Sequence, residues 1–97
     1  MPHIVPFVLE DVIFAGESVQ LQCHVSKGDL PLQITWNFHG KELSSHSGIH
    51  TMKAGDRTSL LSIASVTSLH SGDYTCTAAN KAGVATHLTT INVNGSL

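Results

Sequence analysis

The chain has 97 residues, which is enough for one small domain and too few for two hydrophobic cores. Only 12% of its residues are Asp, Glu, Lys or Arg, against about 25% in typical soluble domains, and its formal net charge is −2. The sequence has no stripe of basic residues, which excludes nucleic acids and anionic membranes as expected partners. Weak charge also lowers the repulsion between copies of the chain, and therefore favours self-association.

The first quarter of the chain predicts an interrupted edge strand followed by a regular strand. We expect a strand over His3–Leu9 that breaks at Pro6, because proline has no amide hydrogen for a ladder bond, and that resumes over Val12–Phe14. From Ser18 to Val25, apolar and polar residues alternate. This alternation predicts a strand with one buried face, whose outward residues are Gln20, Gln22 and His24.

The middle of the chain predicts three further strands. Gln33–Phe38 alternates with Trp36 on its inward side, and two shorter strands follow over Lys41–Leu43 and Ile49–Lys53. Ser44–Gly48 is expected to be a polar loop. The register of Ile49–Lys53 is open, so Met52 points outward in one register and inward in the other.

The last part of the chain predicts a strand over Ser59–Val66 and then a hairpin. The core positions Leu61, Ile63 and Val66 leave Leu60 pointing outward. The hairpin strands are Asp73–Ala79 and Val84–Val93, and a single helical turn is expected at Ser68–Ser71. Short strands separated by turn residues, without helical periodicity elsewhere, predict an all-β sandwich.

Four residues on these strands resemble the signature of the immunoglobulin superfamily. Trp36 lies thirteen residues after Cys23, and Tyr74 comes two residues before Cys76. The resemblance covers essentially the whole chain and implies an immunoglobulin-like Greek-key β-sandwich of the intermediate type (I-set). It also implies one Cys23–Cys76 disulfide between the sheets, with Trp36 packed on it and the Tyr74 hydroxyl bonded to nearby backbone.

The implied disulfide predicts an extracellular protein. Closing this loop is expected to stabilise the fold by roughly 4 kcal/mol, and such bonds persist in oxidising compartments. The sequence has neither a signal peptide nor a membrane-spanning run. We therefore expect residues 1–97 to be a single domain from the ectodomain of a single-pass cell-surface protein, with Met1 and Ser96–Leu97 as flanking or linker residues.

Further motifs resemble the Down syndrome cell adhesion molecule (Dscam) family. They are His70-x-Gly-x-Tyr-Thr-Cys76, Ala78-x-Asn-x-Ala-Gly83, Ile4-Val-Pro-Phe7, Gly28-Asp-Leu-Pro31 and Val93-Asn-Gly95. Together they are similar to the isoform-variable domains, especially the seventh immunoglobulin domain of arthropod Dscam and the first domain of the shortened chelicerate Dscam proteins. Most relatives carry an Asp where this chain has His70, so the usual pairing with an Arg, here Arg57, is not expected.

The Dscam resemblance implies isoform-specific homophilic binding, in which identical isoforms bind across cells and different isoforms do not. The implied partners are a second copy, in an antiparallel two-fold homodimer, and neighbouring immunoglobulin domains of the same ectodomain. The resemblance points to the sheet formed by strands A, B, E and D of the immunoglobulin fold, called here the ABED sheet. Heterophilic binding through the loops at Gly28–Pro31 and Ala82–Val84, or a passive spacer role, are the alternatives.

The outward residues of strands B, D and E are the candidate homophilic interface. They include amides, imidazoles and two large apolar side chains, and they lack Lys, Glu and Asp, which matches the depletion of charge in interface cores. The alternative is that Met52 and Leu60 are isolated surface apolar residues, which are common. The outward residues of the opposite sheet, Gln33, Thr35, Asn37, Asp73, Thr75 and Thr77, are evenly polar. The interface candidates are Gln20, Gln22, His24, His50, Met52, Leu60 and Ser62.

The seven histidines do not form a metal or catalytic motif. They are scattered without paired ligand spacing, at His3, His24, His39, His46, His50, His70 and His87. His70, Ser71 and Asp73 are too close in sequence for a triad, and we interpret them as solvated turn residues. We therefore expect no catalytic residue, metal, cofactor or small-molecule substrate. Asn94-Gly-Ser96 matches an N-glycosylation acceptor, and an ordinary Asn-Gly turn is the alternative.

Overall fold

The computed structural model describes residues 1–7, 9, 12–42 and 48–95. Leu43, the last residue of a predicted strand, and residues 44–47 of the predicted polar loop lie outside these ranges. The described strands are β1 His3–Ile4, β2 Ile13–Phe14, β3 Val19–Lys27, β4 Gln33–Phe38, β5 Lys41–Glu42, β6 Ile49–Lys53, β7 Thr58–Ile63, β8 Gly72–Asn80, β9 Gly83–Ile91 and β10 Val93–Asn94. A three-residue 3-10 helix covers Ser68–His70, within the predicted turn.

The strands form two antiparallel four-stranded sheets and one short parallel pair. The order in the first sheet is β1-β3-β7-β6, which correspond to strands A, B, E and D, so this is the ABED sheet. The order in the second is β5-β4-β8-β9, called here the CFG sheet, and β2 pairs with β10 in parallel. This is the predicted all-β immunoglobulin sandwich. In the part of the chain that the structure describes, no helix is long and apolar enough to cross a membrane.

The first strand switches from one sheet towards the other. β1 ends at Ile4, and the last bond to its sheet runs from the Val5 amide to the His24 carbonyl at 2.9 Å. The Phe7 carbonyl then accepts the Thr89 hydroxyl at 3.1 Å and lies 2.6 Å from Nε2 of His87. The break predicted at Pro6 is present, but the regular strand is shorter than the sequence indicated because the chain is already leaving the first sheet.

The core lies between the two sheets and is centred on the predicted disulfide. Cys23 and Cys76 are fully buried and bonded, with their Cα atoms 6.5 Å apart. Buried Trp36 donates its indole hydrogen to the Ser59 hydroxyl at 2.9 Å, which satisfies the polar group within the core. The other buried apolar side chains are Ile4, Ile13, Val19, Leu21, Val25, Leu32, Leu61, Ile63, Val66, Tyr74, Ala78 and Ile91.

The turn before β8 corrects the interpretation of His70 as a solvated residue. His70 is buried, and its Nδ1 accepts the Thr67 amide at 2.9 Å, while Thr67 caps the 3-10 helix. The His70 carbonyl accepts the Tyr74 hydroxyl at 2.7 Å. Arg57 binds elsewhere, donating to the Val25 and Gly28 carbonyls. The buried imidazole therefore stabilises this turn through its hydrogen bond with the Thr67 amide.

Candidate functional site

The seven interface candidates lie side by side on the outer face of the ABED sheet. The register of β3, β7 and β6 aligns Gln20, Ser62 and His50 in one cross-strand row. It aligns Gln22, Leu60 and Met52 in the next row, and His24 lies opposite Thr58 in a third. Neighbouring rows are separated by two residues, or about 7 Å along the strands. These positions, with Thr58 added, form one continuous patch, called here the ABED patch.

The middle row of the ABED patch is its apolar part. Met52 is 63% exposed, and Leu60 is half-buried between Gln22 and Met52. The structure therefore settles the register that the sequence left open, since Met52 points outward. Leu60 points outward as expected and is half-buried.

The residues around this row are polar and carry no fixed charge. His24 shares a hydrogen bond of 2.8 Å with the Thr58 hydroxyl, and Gln20, Gln22 and His50 are exposed. The three rows contain no Asp, Glu, Lys or Arg. An identical patch can therefore approach without repulsion between fixed charges.

Val5 is a residue of this face that the sequence interpretation missed. It is 41% exposed, and its amide bonds to the His24 carbonyl, so it borders the third row. The alternation of Ile4 and Val5 is the sequence signal, and Val5 was missed because the interface candidates came from strands B, D and E and not from strand A.

The opposite sheet is not the evenly polar face that the sequence interpretation described. On β9, Val84 and Leu88 are 53% and 55% exposed. They lie opposite Ala79 and Thr75 of β8. The prediction considered β4 and β8 only, and the outward apolar residues belong to the third strand, β9.

The loops of the alternative, heterophilic site meet at one end of the sandwich. Leu30 is 49% exposed there, and the Asn80 side-chain amide donates to the Asp29 carbonyl at 3.0 Å, which ties this loop to the β8–β9 turn. Open clefts border Pro31, and their lining includes Lys53 and Lys81. The clefts are open to solvent, and their linings mix polar with apolar side chains.

The remaining candidate chemistry is limited. Within residues 1–7, 9, 12–42 and 48–95, no group of three His, Cys, Asp or Glu side chains could hold a metal ion. Asn94 lies in β10, where its side-chain amide donates to the Ile13 carbonyl at 3.1 Å and its own carbonyl accepts the Ala15 amide. It is therefore a strand residue rather than part of an ordinary turn, and Ser96 of the acceptor sequence lies outside the described residues.

Comparison with known proteins gives consistent matches. The family model described as "Immunoglobulin domain" matches residues 2–80. Cell adhesion molecule Dscam1 of Drosophila melanogaster is 35% identical over 95 residues, which are 96% of this chain and 5% of that protein. The crystal structure of Dscam1 Ig7 domain isoform 5 has 37% identity and a TM-score of 0.91, with 96% of each chain covered.

A longer solved structure shows the same similarity within an array of domains. The N-terminal eight immunoglobulin domains of DSCAM isoform 1.30.30 match with 40% identity and a TM-score of 0.91. The match covers 98% of this chain and 12% of that one. The chain thus spans about one twentieth of the curated relative named above.

Proposed function

The chain belongs to the immunoglobulin domain family and, within it, to the Dscam cell adhesion molecules, and on that premise we propose that identical copies bind each other through the ABED patch. Similarity to Dscam immunoglobulin domains supports an adhesion role on the cell surface. The proposal adds the homophilic mode, its location on the domain and its specificity for the isoform.

The observation that carries this proposal is the middle row of the ABED patch. An exposed methionine next to a half-buried leucine gives a contact an apolar centre, and the amides of Gln20 and Gln22 give it a hydrogen-bonding margin. Apolar centres with polar margins and few charges are typical of protein interfaces. The low charge of the whole chain acts in the same direction.

Two-fold symmetry explains how such a patch would be specific for identical copies. With antiparallel strands and an axis between the first two rows, the Leu60 and Met52 row faces the Ser62 and His50 row of the other copy. A substitution then changes two contacts in a dimer of identical copies and one contact in a mixed dimer. A buried polar group left without a partner costs about 1–3 kcal/mol, so one mismatched residue in the mixed dimer is enough to favour the dimer of identical copies.

We also propose that the domain acts within a longer extracellular chain. The match to one domain's length of an eight-domain structure supports neighbouring immunoglobulin domains in the same chain. We propose that this longer chain is the ectodomain of a single-pass cell-surface protein. A single domain buries only a modest interface, so the isolated contact is expected to be weak and to gain avidity from multiple domains and copies.

The substitution Leu60→Asp tests the proposal. A carboxylate at the apolar centre would lie in both halves of the two-fold contact, so we expect the dimer dissociation constant to rise at least tenfold. Sedimentation velocity over about 1 to 300 μM covers the range expected for a contact of this size. Thermal unfolding checks that the fold is retained.

Leu69→Asp is the matched control, because Leu69 is 78% exposed in the 3-10 helix, away from the patch. We expect this variant to dimerise like the unmodified domain. An unchanged dimer constant in folded Leu60→Asp would contradict the ABED assignment. A strict monomer before any substitution would instead favour the heterophilic alternative at the Pro31 end.

A further inference from the structure

The outward face of the CFG sheet has an internal symmetry that the proposed function does not use. Its central cross-strand row is Thr35, Thr77 and Thr86. On one side of this row lie Gln33, Ala79 and Val84, and on the other lie Asn37, Thr75 and Leu88. Each flanking row therefore has an amide on β4, a small side chain on β8 and an exposed aliphatic side chain on β9.

Two charged residues lie at equal distances on either side of the central row, and their charges are opposite. Asp73 lies four residues before Thr77 on β8, and Lys81 lies four residues after it in the hairpin turn. Both are exposed, each about 13 Å from the central row along the strand. The Thr90 hydroxyl donates to the Asp73 carboxylate at 2.7 Å, which holds the carboxylate at the end of the face.

From this arrangement we propose that the CFG sheet is a second self-association surface, occupied by the CFG sheet of another copy. The two-fold axis would pass over the threonine row, perpendicular to the strands, so that the facing strands run antiparallel. Val84 of one copy then meets Leu88 of the other. Lys81 of each copy reaches Asp73 of its partner, so the contact closes with two apolar pairs and two ion pairs.

Charge selects this orientation over the parallel one. With parallel facing strands, Lys81 would lie over Lys81 and Asp73 over Asp73, and both pairs would repel each other. Between the two charged ends, the three rows have no charged residue on β4, β8 or β9, and Glu42 of β5 lies opposite Asn37 at the edge of one flanking row. The occupant that fits an uncharged centre with opposite charges at equal distances is therefore an identical face turned end for end.

The second surface is independent of the ABED patch because the two sheets face opposite directions. A copy that used both faces at once would join two partners and form chains of domains. The domain would then have one contact available for a copy on an opposing cell and another for a copy on its own surface.

A charge-swap cycle in the Leu60→Asp background tests this inference without the ABED contact. We expect residual dimerisation in sedimentation velocity, weakened about tenfold by Lys81→Asp or by Asp73→Lys, since each change replaces two attractions by two repulsions. The double swap restores opposite charges at both positions and is expected to restore the dimer. Asp56→Lys is the control for Asp73→Lys. It makes the same change of charge in the turn between β6 and β7, outside the outward face of the CFG sheet.

A strictly monomeric Leu60→Asp protein up to about 1 mM would overturn this inference while leaving the ABED proposal intact. Residual dimers that the double swap fails to restore would overturn it as well. If Leu60→Asp has no effect but Lys81→Asp and Asp73→Lys weaken the dimer and the double swap restores it, the ABED proposal fails and the CFG contact stands.

Discussion

Tyr74 links the core of the sandwich to the turn before β8. Its ring is fully buried and packs on Phe38 with 4.7 Å between ring centroids. Its hydroxyl donates to the His70 carbonyl, and the His70 imidazole in turn accepts the Thr67 amide. The Tyr74 hydroxyl therefore holds the turn before β8 in place. The same turn is bonded to β10, because the Val93 amide donates to the Ser71 hydroxyl.

The ionisation of Tyr74 makes a specific prediction about alkaline stability. Burial raises the pKa of Tyr74 from 10.0 to about 12. The unfolded chain therefore loses this proton first, so the free energy of unfolding should be fully maintained below pH 10.0 and fall as the pH rises towards about 12. The total loss from this residue should be of the order of 3 kcal/mol, since one pKa unit corresponds to about 1.4 kcal/mol.

Tyr74→Phe separates this effect from other alkaline titrations. Without the hydroxyl, the variant should be less stable by about 1–2 kcal/mol at pH 8, because a buried hydrogen bond to His70 is lost. The stability gap should close at higher pH, because the phenylalanine has no proton to lose. Urea unfolding of both proteins between about pH 8 and pH 11.5 measures this gap, and a gap that stays constant would contradict the prediction.

Individual residues differ in how far the sequence determined their role. Cys23, Trp36, Tyr74 and Cys76 could be predicted because their spacing is a signature and their chemistry allows few alternatives. His70 could not, since an imidazole in a polar turn suits both water and a buried backbone amide. The available signal was Thr67 three residues earlier, which has the spacing of a capping box.

At the scale of elements, alternation placed most strands and most outward residues correctly. The period of two in β3 and β7 fixes which residues face outward, and pairing with β7 then fixes the register of β6. The same period predicts that Val84 and Leu88 of β9 face outward, and the sequence interpretation erred by leaving that strand out. The early end of β1 depends on the crossover contact of Phe7 with His87 and Thr89, 80 and 82 residues away in sequence, which local patterns do not contain.

At the scale of the whole molecule, the fold follows from the sequence much further than the function does. The disulfide, the two sheets and the family are all indicated by residues within the chain. A contact between copies is not contained in one chain, and either sheet could form it, because both have an outward face with exposed apolar residues and few charges. Composition alone therefore indicates that copies approach each other easily, and only the register of the sheets shows which side chains would meet.

Concentration-dependent NMR chemical shifts of the oxidised, 15N-labelled domain test the central claim most directly. Between about 10 μM and 1 mM, the range of a weak single-domain contact, we predict that amide shifts change at Gln20, Gln22, Met52, Leu60 and Ser62. In Leu60→Asp those changes should disappear, and any changes at Thr77 and Leu88 should remain as the mark of the second contact. Shifts that move only around Pro31, or no concentration dependence on the ABED sheet, would contradict the account.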